Sequence, residues 1–247
     1  MSLTEKPCTE LPDHKPVLEA LVEDPSIIVG ESYFESKWVA EHLITLAGEN
    51  SLWSPTVVRV GQISGSKIGA WRTSELVPSM VSASIALGRL PDASGEVAWI
   101  PVGAAAAALI EFMDSPETIL HLRHPHPVTW SEVFKHFALV LDLPLVSYSD
   151  WFTRLERGLM LHDDADMVRC LERGQRFLEQ YRCPMNPYDS RPNVMKRLNP
   201  RMDITHGLEA SATLRDGVIP TIGIEEVSRW VNYWRQEGII PPNPVAV

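Results

Sequence analysis

Two side chains suited to proton transfer, Tyr33 and Lys37, lie four residues apart in this sequence. On an α-helix this spacing places both side chains on one side. An ammonium near a phenol stabilises the phenolate and lowers the tyrosine pKa from its ordinary value of about 10. Such a tyrosine can protonate a carbonyl oxygen as a hydride arrives, while the lysine hydrogen-bonds the ribose hydroxyls of a nicotinamide cofactor. An isolated pair of this kind is more often a chance occurrence on an exposed helix surface. The elements next to the pair therefore determine whether it indicates catalysis.

The elements around the pair are a predicted helix and a predicted strand. A one-sided spacing predicts an amphipathic helix over residues 31–47, with Gly48 as a natural stop. The residues on that side are Tyr33, Trp38, Val39, His42, Leu43 and Leu46. The β-branched run at 56–60 predicts a buried strand, and Gly61-Gln62-Ile63-Ser64-Gly65 predicts a tight turn after it. Ligands of α/β sheets bind at the carboxyl ends of strands, which is where this turn would lie.

The remainder of the chain alternates short strands with helices, which is typical of α/β architecture. The predicted strands are 96–102 and 118–122, and the predicted helices are 74–88, 104–113, 129–141, 150–182 and 224–237. In the last helix, Trp230, Tyr233 and Trp234 predict a buried face. The proline-rich stretch 184–201 is expected to be irregular.

Composition narrows the function classes. The 247 residues carry 22 Lys and Arg against 32 Asp and Glu, for a net charge of −10. A chain this acidic repels phosphate backbones, so nucleic acid is not an expected partner. No apolar run is long enough to cross a membrane. Three scattered cysteines and a polar N-terminus without signal character favour a reduced, cytoplasmic protein.

The segment 30–41, GESYFESKWVAE, resembles the active-site helix of thioester reductase domains. These domains are extended short-chain dehydrogenase/reductases of carboxylic acid reductases and of fungal adenylate-forming reductases related to nonribosomal peptide synthetases. The resemblance covers about residues 25–240 in collinear order. Its further motifs are Arg59-Val60-Gly61-Gln62-Ile63-Ser64-Gly65, Gly69-Ala70-Trp71, Gly88-Arg89-Leu90-Pro91, Trp99-Ile100-Pro101-Val102, His124-Pro125-His126-Pro127-Val128-Thr129-Trp130, Leu208-Glu209-Ala210-Ser211 and Val227-Ser228-Arg229-Trp230-Val231-Asn232-Tyr233-Trp234.

The resemblance implies NADPH-dependent reduction of a phosphopantetheine-bound acyl thioester on a carrier protein. The product is an aldehyde or, after a second hydride transfer, an alcohol. By position, Tyr33 would be the proton donor, and Lys37 would anchor the ribose and depress the tyrosine pKa. The backbone of Gly61, Gln62 and Ile63 would lie against the nicotinamide. The region after about residue 103 would shape the substrate and carrier side.

The sequence departs from the family at the cofactor-binding end. None of the fourteen glycines are separated by two or three positions, so no G-x-G-x-x-G or related G-x-x-G motif is present. The expected fold is therefore an incomplete Rossmann-like C-terminal half with a mostly helical substrate subdomain. The expected organisation is a flexible segment at 1–25, a partial reductase core at 26–123, a helical subdomain at 124–240 and a proline-rich tail at 241–247.

Two alternatives to an independent enzyme stay open at this point. The first is a non-catalytic fragment that docks a carrier protein or pairs with a second chain supplying the cofactor-binding half, because an open sheet edge invites pairing. The second is a nucleotide-sugar epimerase or dehydratase, which shares the Tyr-x-x-x-Lys pair. The tryptophan-rich segments favour the reductase over this second alternative.

Overall fold

A computed structural model describes residues 16–27, 32–49, 51–161, 164–180, 201–216 and 219–240. Its helices in the described ranges alternate with short strands, as the sequence predicts for an α/β protein. A single 3-10 turn, Pro25–Ile27, precedes them. The helices are α1 Ser32–Glu49, α2 Leu76–Leu87, α3 Val102–Phe112, α4 Trp130–Leu141, α5 Tyr148–Leu161, α6 Ala165–Gln180, α7 Thr205–Ala210, α8 Ala212–Arg215 and α9 Ile224–Gln236.

Within these ranges the strands are short and pair two by two, three pairs being parallel and one antiparallel. In the parallel pairs β1 joins β6, β2 joins β5 and β3 joins β8, while β4 and β7 are antiparallel. The strands are β1 Val57–Val60, β2 Ile63–Ser64, β3 Leu90–Asp92, β4 Glu96–Val97, β5 Ile100–Pro101, β6 Ile119–Leu122, β7 Val128–Thr129 and β8 Leu145–Ser147.

Helix α1 is present as predicted, but its predicted buried side is only partly buried. Trp38 and His42 of that side are half-buried, together with the polar residue Glu41. Val39, Leu43 and Leu46 are exposed, Leu43 by 61%. The expectation of a buried side is therefore corrected for these three aliphatic residues, which point outward in the described structure.

The segment that follows α1 also differs from its prediction. Strand β1 is only half-buried, with Val60 45% exposed, whereas a buried strand was expected. The tight turn expected at 61–65 is absent, because the amide of Gly61 extends the sheet by donating to the carbonyl of Leu122 at 2.8 Å. Ile63 and Ser64 then form β2 beside β5. The chain crosses from one strand pair to the next in extended conformation.

The larger hydrophobic core lies between α2, α4, α5, α6 and α9 and is rich in tryptophan. Trp71 packs edge-on against Trp99 and Trp230, with ring centroids 5.4 and 4.8 Å apart. The prediction of a buried face on the last helix is confirmed, since Trp230 and Trp234 are buried and Tyr233 packs against the same core. Edge-to-face tryptophan pairs add to the energy of apolar burial.

A second, smaller core lies beneath the strand pair that follows α1. It packs β5, β6 and α3 against the short helices α7 and α8. Glu111 of α3 ties these helices together, since its carboxylate accepts hydrogen bonds from the Ser211 hydroxyl and from the amide and hydroxyl of Thr213. The Ser211 hydrogen bond, followed by those of Thr213, holds the pKa of Glu111 below its ordinary value.

Part of the predicted N-terminal segment 1–25 is docked on this second unit. Val17 pairs with Met202 in an isolated parallel bridge. Glu19 is buried, and its carboxylate accepts hydrogen bonds from the amides of His121, His206 and Gly207 at 2.7, 2.6 and 3.0 Å. Residues 1–15, most of the irregular stretch predicted at 184–201 and the tail at 241–247 lie outside the described residues.

Candidate active site

Both members of the Tyr-x-x-x-Lys pair lie in the first turns of α1. Tyr33 and Lys37 are one helical turn apart in α1, and the side chain of Lys37 is exposed. The side chain of Tyr33 lies outside the described part of the structure. The backbone thus gives the spacing that the pair requires, and the assignment of these two residues as catalytic stays a prediction.

An ion pair joins α1 to β1. The guanidinium of Arg59 donates from Nε to Oε1 of Glu41 at 2.9 Å and from Nη2 to Oε2 at 2.7 Å. Both side chains are 15% exposed. Such a two-pronged contact between a fork of donors and a carboxylate fixes orientation as well as distance. Glu41 and Arg59 both stand within motifs of the resemblance, but neither was predicted to act in the site.

The same guanidinium contacts the N-terminal segment and the neighbouring strand. It donates to the backbone carbonyls of Leu18 at 3.3 Å and Ala20 at 3.1 Å. Its Nη1 also lies 3.3 Å from Nε2 of His121 on β6. The other ring nitrogen of His121 lies 2.6 Å from the carbonyl of Asp203, so that nitrogen donates and Nε2 accepts from Arg59.

The neutral state of His121 agrees with its surroundings. The residue is fully buried, and desolvation lowers its pKa, an effect that the Asp203 carbonyl opposes and the charge of Arg59 reinforces. A neutral imidazole is what the hydrogen bond from Arg59 requires. The group is therefore a structural acceptor in this network rather than a charged partner.

Gly61, Gln62 and Ile63 lie at the carboxyl end of β1, two to four residues after Arg59. The Gly61 amide and the Gln62 carbonyl are used in sheet pairing, with Leu122 and Ile100 respectively. The Gln62 side-chain amide donates to the carbonyl of Ile63 at 2.8 Å and to Glu75 at 2.9 Å. These groups are committed to protein partners, so any contact of this segment with a flat ring is one of packing.

Two buried basic residues lie at the carboxyl end of β6, and neither was predicted to be part of the site. Arg123 and His124 follow β6 directly, and both are less than a tenth exposed. The β-carbon of Arg123 lies 3.3 Å from where a side chain at Gly61 would begin. Desolvation lowers the pKa of both residues. The signals in the sequence were their position after a predicted strand and, for His124, its place at the start of the motif 124–130.

The described ranges contain neither a metal-site cluster nor a membrane-spanning helix. No cluster of three or more histidine, cysteine, aspartate or glutamate side chains there has metal-site geometry. No described helix is both long and apolar enough to cross a bilayer.

Comparison with known proteins finds similarity to reductases. Residues 2–109 match the NAD-binding family described as male sterility protein. The chain is 40% identical over 220 residues to the adenylate-forming reductase Nps10 of Heterobasidion annosum, which covers 87% of this chain and 20% of that protein. It is 30% identical over 235 residues to the adenylate-forming reductase Nps9 of Serpula lacrymans, again over 87% of this chain and 20% of that protein.

Solved structures show the same fold. The terminal R domain from the myxalamid biosynthetic pathway superposes with a TM-score of 0.74 at 24% identity, over 94% of this chain and 56% of that chain. A thiolation-reductase di-domain from an archaeal nonribosomal peptide synthetase superposes with a TM-score of 0.64 at 14% identity, over 91% and 44%. The molecule thus has the α/β fold of extended short-chain dehydrogenase/reductases. More particularly, its resemblance to the C-terminal part of a thioester reductase domain is confirmed.

The curated relatives are much longer than this chain, which limits what they show about its function. The chain spans about a fifth of the length of the two adenylate-forming reductases. The curated relatives are named as adenylate-forming reductases, the family model is named for NAD binding, and one solved relative joins a thiolation domain to a reductase domain. The reaction, the choice of cofactor and the residues that act in this chain are matters for proposal.

Proposed function

We propose that this chain carries the catalytic helix of an NADPH-dependent reductase that converts carrier-bound acyl thioesters to aldehydes in specialised-metabolite biosynthesis, acting in the cytoplasm. The observation that carries the proposal is the position of α1, which is held to β1 by the Glu41–Arg59 ion pair. This attachment puts the helix of Tyr33 and Lys37 beside the strand that leads into Gly61–Ile63. Hydride transfer to a carbonyl requires a proton donor next to the nicotinamide, and we assign that role to Tyr33 on this helix.

The residues present fit the nicotinamide and ribose end of NADPH. Lys37 is exposed and lies on the same helix as the proposed proton donor. Gly61 has no side chain that would cover the end of β1. A side chain at Gly61 would meet Leu122 and Arg123 of the neighbouring strand within 3.4 Å. The pyrophosphate would need a Gly-rich turn, which the sequence lacks, so we assign this chain the nicotinamide end only.

In the proposed reaction each side chain has a defined task. When bound, NADPH supplies the hydride that adds to the thioester carbon. Tyr33 donates its phenolic proton to the developing oxyanion, and Lys37 favours the phenolate left behind. The hemithioacetal then loses its carbon–sulfur bond, and the hydroxyl proton passes to the departing thiolate. The products are an aldehyde, the free phosphopantetheine thiol and NADP+, and one solvent proton restores the phenol.

We propose that two regions of the chain have different roles in this reaction. We assign cofactor and proton transfer to residues 26–123, and contact with the acyl chain and its carrier protein to residues 124–240. The name of one structural relative, a thiolation-reductase di-domain, supports a carrier-borne substrate. The tryptophan face of α9 is buried in the core and is therefore not assigned to carrier contact.

The proposal is tested by supplying the purified chain with NADPH and an acyl-pantetheine thioester and following loss of the reduced nicotinamide absorbance. Tyr33→Phe should lower kcat by about 10² to 10⁴-fold, the usual range for losing a positioned general acid. Lys37→Met should lower kcat and move the pH midpoint of turnover upward. Lys135→Met and Tyr233→Phe, on α4 and α9, are the matched controls. Equal turnover by wild type and Tyr33→Phe would refute the assignment.

A second candidate function is supported by the exposed surface of α1. Its outward residues Val39, Leu43 and Leu46 are about half exposed or more, and β1 has a partner on one edge only among the described strands. An apolar helix face beside an open strand edge suits pairing with another α/β unit. In this reading a second chain supplies the cofactor-binding half. Sedimentation that gives a folded monomer at micromolar concentration, active alone, would contradict it.

A further inference from the structure

We infer that Glu41 and Arg59 are positioning residues for the proposed reaction, because their ion pair sets where α1 holds Tyr33 and Lys37 relative to the end of β1. The inference rests on the proposed function. It assigns to these two residues no contact with substrate or cofactor.

The spacing along α1 and β1 gives the first step. Glu41 lies four residues after Lys37 and eight after Tyr33, so all three occur along one side of the helix, about 12 Å from end to end. Arg59 precedes Gly61 by two residues. Joining Glu41 to Arg59 therefore fixes the distance between α1, which carries Tyr33 and Lys37, and the strand that leads to Gly61–Ile63.

The burial pattern of α1 gives the second step. Its apolar residues Val39, Leu43 and Leu46 are exposed, so the burial of this stripe does not fix the place of the helix in the described structure. The half-buried side carries Trp38 with polar residues such as Glu41. Its hydrogen bonds to other segments include those from Arg59 to Glu41 and from the Trp38 indole to the Val22 carbonyl. The position of α1 therefore depends strongly on the geometry of the Glu41–Arg59 contact.

The N-terminal segment extends the attachment. Arg59 also holds the carbonyls of Leu18 and Ala20, and the indole Nε1 of Trp38 on α1 donates to the carbonyl of Val22. Between them, Glu19 is anchored to the backbone of β6 and α7. Residues 18–22 thus lie between α1 and the second core. They contact α1 through Trp38, β1 through Arg59, and the second core through Glu19.

Hydrogen exchange followed by mass spectrometry tests the attachment without any need for turnover. In Glu41→Gln and Arg59→Lys, the amides of α1 should exchange about tenfold faster than in wild type, while those of α4 in the main core stay protected. Asp150→Asn, which breaks the exposed Asp150–Arg154 pair on α5, is the control for losing a surface ion pair. Unchanged exchange in α1, or a uniform increase that includes α4, would overturn the inference.

Kinetics supply a second readout that a purely stabilising role would not produce. In Glu41→Gln, kcat should fall about tenfold with the pH midpoint unchanged, because Tyr33 and Lys37 move together on one helix. Lys37→Met should instead shift that midpoint. If wild type turns over and Glu41→Gln keeps its kcat, the positioning role is wrong. If wild type oxidises no NADPH, the proposed function fails, and hydrogen exchange alone decides whether the ion pair holds α1.

Discussion

Replacement of Glu19 measures how strongly the N-terminal segment is bound to the rest of the fold. Glu19 is 7% exposed, and its carboxylate accepts three backbone hydrogen bonds, from His121 on β6 and from His206 and Gly207 at the start of α7. In Glu19→Ala these donors lose their acceptor, and the amides of His121 and Gly207 are buried. At about 1–3 kcal/mol for each of these two buried donors left unsatisfied, the free energy of unfolding should fall by about 2–6 kcal/mol.

Urea unfolding followed by tryptophan fluorescence gives this quantity, with Glu23→Ala as the control, since Glu23 is exposed in the same segment. Glu19→Gln keeps one acceptor oxygen but turns an amide N–H₂ toward a backbone N–H, so a smaller loss of about 1–2 kcal/mol is expected. A loss below about 1 kcal/mol in Glu19→Ala would refute the view that this segment is bound through buried hydrogen bonds.

Two further predictions concern backbone geometry and pH. Gly69 has φ of +86° and an added Cβ would lie 2.1 Å from the carbonyl oxygen of Arg229, so Gly69→Ala should destabilise by about 3 kcal/mol or more. In Gly88→Ala, with φ of +66° and open space around it, only the conformational cost of about 1–2 kcal/mol remains, and thermal unfolding compares the two. Burial lowers the pKa of His121, so the unfolded chain binds its proton more readily. Stability should therefore fall as the pH drops below about 6.5, by up to about 1.4 kcal/mol per pH unit for this group. Urea midpoints between about pH 5 and pH 7 should show a smaller slope in His121→Gln than in wild type, whereas exposed His126→Gln should match wild type.

Elements whose signals are local were predicted well from the sequence. Helix α4 begins where Thr129 predicted it, with a reciprocal capping arrangement in which Thr129 and Glu132 satisfy each other's backbone amides. Helix α9 buries Trp230 and Trp234 as its periodicity predicted. In both cases the residues that decide the structure lie within a few positions of one another.

Features that depend on distant residues were missed. Strands β3 and β8 pair Leu90 with Leu145, residues that lie far apart in the sequence, and neither strand was predicted. Helix α1 was expected to bury its apolar stripe, because periodicity reports that one side is apolar and not what lies next to it. Glu19 has no sequence neighbour that indicates burial, since its three partners lie more than a hundred residues away.

At the candidate site, the proposed reacting residues were predicted from the sequence, but the contact that places them was not. The spacing of Tyr33 and Lys37 is local and was found in the sequence, whereas the Glu41–Arg59 contact spans eighteen residues and was not. Apolar burial is non-directional, so a helix held by it can shift by a fraction of an ångström at little cost. A guanidinium that holds both carboxylate oxygens fixes distance and orientation together. Because misplacing reacting groups by about 1 Å can cost a hundredfold in rate, a polar attachment is the more suitable one for the proposed proton donor.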